Sequence, residues 1–152
     1  MNNINRRELG FAMAAFAGLS SFHVEGQTAT DEPRLAHSNI FAFDRLPAIS
    51  AANGVVTREV LRGVLVTGEY VEVHETRLPG GEMPHPPHRH THSEFLLIRD
   101  GALRVESDGR TSLVHAGDVV FTASAVLHGL KNVGDVPANY FVVAVGLQKA
   151  IE

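Results

Sequence analysis

Three histidines and a glutamate, His88, His90, His92 and Glu94, crowd together just ahead of the apolar run Phe95-Leu96-Leu97-Ile98, and a further histidine, His128, lies downstream. Read together, these residues point to a metal site. Imidazole suits Mn, Fe, Ni, Cu and Zn, and one hard carboxylate beside several imidazoles leaves a divalent ion with open positions for chemistry. On extended backbone, side chains two residues apart share a face at a spacing of about 7 Å, so His88 and His90 point the same way. Glu94 has the same parity, although segment 91–93 can turn the chain before it.

The elements that must position these groups are short and strand-like, separated by turn signals. The expected strands cover residues 60–67, 69–78, 95–98, 102–106, 111–114, 119–121, 128–131 and 140–145. Ser107-Asp108-Gly109-Arg110 is a hairpin turn with Asp-Gly at its centre. Pro84, Pro86 and Pro87 make their stretch a loop that delivers the chain to His88. Residues 30–59 read as an arm or edge strand, with Ile40, Phe41 and Phe43 free to cover a sheet face or a partner subunit.

The spacing also carries a resemblance. A glycine, then His88-x-His90, three residues, Glu94, six residues and Gly101 is similar to the first motif of the cupin superfamily. The second motif is matched by Gly117-Asp118, His128 ten residues after Asp118, and Asn132. Two motifs in order are far more specific than one. The departures fall on turns: Glu82 stands where Gly is usual, Ala123 replaces a usual Pro, and Ala125 a usual Gly.

The resemblance implies an all-β fold, a single jelly-roll type antiparallel β-barrel over residues 60–148, with a homodimer a frequent assembly. It implies that His88, His90, Glu94 and His128 are the four ligands of one divalent transition metal per chain. Such a set leaves about two positions on an octahedral ion for water, O2 or a bidentate oxygen substrate. The leading expectation is a metal-dependent enzyme on a small molecule, an oxygenase of an enolic or phenolic compound. Redox-neutral isomerisation or lysis with the metal as Lewis acid, or non-catalytic binding of a ligand or metal, remain open, because the fold alone does not select chemistry.

Other histidines take lesser places. His92 reads as a neighbour of the site or a surface residue, His85 as part of the pocket mouth, and His115 as an exposed turn residue. His74 is the candidate acid or base. If Leu78 faces the core, then Thr76, His74 and Glu72 share that side and line a pocket. The opposite register exposes them, and the pattern leaves both registers open. Phe95, Leu96, Leu97, Ile98 and Phe121 read as core, with Leu96 and Ile98 on the cavity side.

Residues 1–29 read as an export signal. Arg6-Arg7 precede an apolar run from Gly10 to Leu19 that is too short to span a bilayer, a pattern that resembles a bacterial twin-arginine signal. A periplasmic or exported protein without a stable membrane span is therefore expected; a packed helix or retained anchor is the competing reading. Because the twin-arginine route carries folded proteins, the metal could be loaded before export, which favours Mn or Fe, weak in the Irving-Williams order, over Ni, Zn or Cu.

Composition agrees and excludes. The 152 residues suit one domain, and 44% hydrophobic content is enough for a core. There is no cysteine, which removes thiolate ligands, thiol catalysis and disulfides. The net charge of −4 and the lack of a basic run argue against nucleic acid as a partner.

Overall fold

The computed structural model describes residues 33–147. The expected signal segment, residues 1–29, lies outside them. Among the described residues no helix is long and apolar enough to cross a membrane, and the regular structure is all β apart from one short 3-10 turn, Phe43–Arg45.

Among the described residues ten strands follow in order: β1 Arg34–Leu35, β2 Ala48–Ser50, β3 Val56–Leu65, β4 Glu69–Leu78, β5 Ser93–Asp100, β6 Ala102–Ser107, β7 Arg110–His115, β8 Val119–Thr122, β9 His128–Asn132 and β10 Ala138–Leu147. A seven-stranded sheet runs β1-β3-β4-β10-β5-β8, with β2 also paired to β3, and a three-stranded sheet runs β7-β6-β9. All pairings are antiparallel except β1 with β3. This is the jelly-roll type of sandwich that the sequence leads one to expect. β3 starts at Val56 rather than residue 60, and β5 extends to Ser93 and Asp100, because pairing with β4 and β10 continues past the apolar residues.

Period-two alternation decides what is inside. β10 buries Ala138, Tyr140, Val142 and Ala144 at every second position. Opposite them β6 buries Leu103 and Val105, and these side chains join Leu78, Leu96 and Ile98 in one core between the sheets. Full burial of a leucine such as Leu103 is worth about 1.5–3 kcal/mol.

The same alternation corrects one expectation. Phe95, Leu97 and Phe121 are not core: they point out of the large sheet and are 38%, 42% and 55% exposed. Glu94, Leu96 and Ile98 hold the inward positions of β5, so its odd-numbered neighbours must face away. Phe95 lies opposite Phe121 in the β5–β8 register, with ring centroids 5.0 Å apart.

The arm crosses that outer face. Phe43 lies between two guanidinium groups, with Cζ of Arg58 5.0 Å and Cζ of Arg99 4.9 Å from its ring centroid. Arg58 in turn reaches the fully buried Glu75 at 3.1 Å. Ile40, by contrast, is 93% exposed.

Gly101 closes the tight β5–β6 connection. Its φ is 84°, and a Cβ there would lie 2.7 Å from the Cβ of Ala138. Both facts require glycine. Asn132, also fully buried, donates from Nδ2 to the carbonyls of Leu78 (2.9 Å) and Val136 (2.8 Å) and accepts from the Gly134 amide (2.9 Å), which fixes the turn into β10.

Candidate metal centre

Glu94 reaches the site from β5 of the large sheet and His128 from β9 of the small sheet, while His88 and His90 come from the loop that joins β4 to β5. The loop is tied down along its length. His88 and His128 exchange backbone hydrogen bonds of 2.9 and 3.0 Å, the Ala125 amide donates to the His90 carbonyl (2.8 Å), and the Ser124 hydroxyl donates to the Thr91 carbonyl (2.7 Å). Arg89 donates to the Ala125 carbonyl at 2.6 Å. Two stretches some forty residues apart are thus stitched together around the histidines. Ala125 adopts φ 64° to make this turn, a left-handed conformation that its side chain disfavours.

The structure brings the four sequence-predicted ligand candidates together. One nitrogen each from His88, His90 and His128 lie within 4.8 Å of one another. Glu94 places Oε2 3.3 Å from Nε2 of His90 and Oε1 3.8 Å from Nε2 of His128.

Hydrogen bonding fixes the tautomers. Nδ1–H of His90 donates to the carbonyl of His92 at 2.8 Å, and Nδ1–H of His128 to the carbonyl of Val126 at 2.9 Å. A carbonyl can only accept, so each neutral ring keeps its lone pair on Nε2. Those two atoms, with Nδ1 of His88, are buried without a hydrogen-bond partner. Nε2 of His90 thus turns toward the Glu94 carboxylate, 3.3 Å away. Burial, followed by the like charges of His85, His128 and His90, lowers the pKa of His88 and favours its neutral form. Three imidazoles and one carboxylate converging, with one nitrogen of each ring buried and unpaired, fit a divalent transition ion.

These residues form one end of a cavity of about 410 Å³. Its walls settle the register of β4: Glu72, His74 and Thr76 face inward, alongside Leu96, Tyr140, Val142 and Ala144. His74 thus lies in the same chamber as the cluster. In the strand register Glu72, Ala144 and Glu94 form one row across β4, β10 and β5. The two carboxylates straddle a small side chain, with backbones about 10 Å apart across two strand spacings.

Glu72 carries the densest network on that wall. Its Oε1 is 3.4 Å from Nδ1 of His74 and 3.5 Å from Nη2 of Arg62, and the Tyr70 hydroxyl donates to Oε2 at 3.2 Å. The His74 hydrogen bond, with support from the Arg62 charge and Tyr70, holds the carboxyl at about 2 against the opposing effect of burial. Sequence reading placed Glu72 beside His74 but gave it no role, because Arg62 reaches it only through the β3–β4 pairing. Burial pushes the Tyr140 phenol well above its ordinary value, so this wall group stays neutral.

His92 lines the cavity, half-buried, rather than the surface. His85 stands at the mouth, edge-on to His88 with centroids 4.3 Å apart. His115 is exposed, as expected.

Comparison with known proteins comes to the same fold. Residues 74–144 match the family model described as a cupin domain. No curated protein matches in sequence. An RmlC-like cupin from Shewanella frigidimarina is similar in structure, with TM-score 0.61 and 19% identity over 74% of this chain and 95% of that one. A predicted oxalate decarboxylase from Thermotoga maritima gives TM-score 0.59 and 21% identity over 72% and 100% of the two chains. A sugar phosphate isomerase of the cupin superfamily from Silicibacter pomeroyi gives 0.59 and 19% over 71% and 76%. At these identities the likeness is one of fold. The domain match, which spans His74 to Ala144, and the jelly-roll fold around it support a place for this chain in the cupin superfamily.

Proposed function

We propose that this protein is a metal-dependent enzyme that removes a proton from a small oxygen-bearing substrate. His88, His90, Glu94 and His128 hold a divalent transition metal, Mn or Fe in preference to Ni, Zn or Cu, and His74, on the β4 wall of the same cavity, is the acid or base. The observation that carries this reading is the convergence of three imidazole nitrogens, each buried without a hydrogen-bond partner, beside the Glu94 carboxylate, whose Oε2 is 3.3 Å from Nε2 of His90. A divalent ion would engage all four groups at once. When bound, such an ion supplies Lewis acidity, polarising a substrate oxygen and easing loss of a nearby proton.

The chain's own residues do the rest. Glu72 faces Nδ1 of His74 and favours the proton there, which leaves Nε2 as the ring atom that can accept one. The positive imidazole that results is steadied by the same carboxylate. Leu96, Val142 and Ala144 form the apolar floor between His74 and the cluster, where water is displaced by substrate. Among the described residues that line this cavity there is no lysine or arginine, so a phosphorylated substrate has no cationic partner there.

Redox-neutral isomerisation or lysis follows most directly from the Glu72–His74 pair, and structural neighbours described as a decarboxylase and an isomerase are consistent with it. An oxygenase of an enolic or phenolic compound is the second reading; the open coordination positions favour it, and it begins with the same proton loss. The test is a panel of enolisable carbonyls and phenols assayed with Mn- and Fe-loaded protein, with and without O2. Equal rates in both atmospheres eliminate the oxygenase. Full turnover by His74→Ala removes His74 from the chemistry, and no turnover in any arm leaves a binding protein.

Export and assembly belong to the same proposal. Arg6-Arg7 and the apolar run behind them support twin-arginine export to the periplasm, and replacing both arginines by lysine should block it. The outward apolar row of Phe95, Leu97 and Phe121 supports a homodimer, which sedimentation of the full chain would reveal.

A further inference from the structure

We propose that His92 is a positioning residue for the metal centre, acting through His90 rather than as a ligand; the inference rests on the metal reading above. Three separate contacts carry it. The His92 carbonyl accepts from Nδ1–H of His90 at 2.8 Å, which fixes the tautomer that leaves Nε2 free. The His92 ring stacks on that of His90, with centroids 3.8 Å apart and planes inclined by only 12°. Behind it, His92 is pressed against β10 at Gly146, where a Cβ would lie 2.9 Å from the Cβ of His92 and 3.0 Å from its Cα.

One residue therefore sets both the tautomer and the ring plane of a ligand, and Gly146 gives it the room to do so. A nitrogen of His92 does come within 4.8 Å of donor atoms of His90 and Glu94, which makes direct ligation the competing role. Ring geometry decides against it. Nearly parallel, stacked imidazoles direct their in-plane lone pairs side by side, whereas two ligands of one ion must aim those lone pairs at a common point. The His90 and His128 rings, inclined by 70°, and the His88 and His128 rings, inclined by 46°, are not so constrained.

The same contacts explain why His92 belongs to the cavity wall despite contributing no donor. It is a rigid backstop. With the ring in place, His90 cannot swing away from Glu94. Without it, the ligand gains rotational freedom that metal binding must then remove.

The experiment uses the full chain, stripped of metal and titrated with Co(II) or Mn(II) against a chelator of known affinity, with the visible spectrum of the Co(II) form as a second readout. His92→Phe keeps a flat ring without nitrogen, and His92→Ala removes the ring. Wild-type affinity and an unchanged Co(II) spectrum are expected for His92→Phe, against a loss of about 10–100-fold for His92→Ala. Gly146→Ala, which displaces His92 without altering any donor, should weaken binding in the same direction and serves if His92→Ala does not fold. Equal losses for the Phe and Ala variants, with a shifted Co(II) spectrum in both, would make His92 a ligand and overturn the proposal. Undiminished affinity in either His92→Ala or Gly146→Ala overturns it as well. Failure of the wild-type protein to bind either ion defeats the metal reading itself, a result separate from all of these.

Discussion

His88 and His128 are joined backbone to backbone, each amide donating to the other's carbonyl at 2.9 and 3.0 Å. The pair forms an isolated antiparallel bridge. It brings the side chains of two distant stretches to a ring separation of 4.7 Å before any ligand is considered. The cost of gathering these side chains is thus met by folding, in advance of any ion they would hold.

Metal content provides the first prediction. Untagged protein should carry close to one ion per chain, and His90→Ala combined with His128→Ala should lose it while the strands persist by circular dichroism. Retention of a full equivalent would sink the ligand assignment.

Acid stability tests Glu72. Its carboxyl is held at about 2, below the ordinary 4.5, chiefly by the hydrogen bond with His74. A group whose folded pKa is depressed contributes stability above its unfolded value and loses that contribution as pH falls through the folded one. Metal-free wild type should therefore exceed Glu72→Gln in stability at about pH 6, and the gap should close between about pH 4.5 and pH 2. A gap that is constant across this range in urea unfolding would show that the network around Glu72 contributes nothing through its charge.

Ala125 holds a left-handed backbone at φ 64° where glycine would be relaxed. Ala125→Gly should raise stability by about 0.5–1 kcal/mol, because relief of strain exceeds the added flexibility of the unfolded chain. Thermal unfolding of the metal-free protein measures it.

Gly101→Ala should do the reverse. A positive φ and a 2.7 Å clash with Ala138 act together, and the loss should be about 2–4 kcal/mol. A change below 1 kcal/mol would mean that the β5–β6 turn moves more freely than its packing implies.

The candidate ligand cluster was legible because most of its spacing is local. His88, His90 and Glu94 lie within seven residues, and His128 could be found from Gly117-Asp118. The strands were legible wherever one face is polar. β4 was found with its bounds, but its register was not legible, because both its faces are partly buried: Thr76 points into the cavity, while Glu75 lies under Arg58 and the arm. Parity alone cannot separate an inward His74 from an outward one when the outer face is covered too. The run Phe95 to Ile98 misled for a related reason, since four consecutive apolar residues conceal which two face the core. The clamps at Ser124, Ala125 and His92 escaped notice because each hydrogen bond ends on a backbone carbonyl, about which side-chain identity is nearly silent.

Glu94 belongs to one sheet and His128 to the other, so an ion held by both would act as a rivet through the sandwich. Release of the ion and parting of the layers then become coupled events. A chelator would loosen the whole protein, and a tightly held ion would slow exchange of amides in β5 and β9 far beyond the residues it touches.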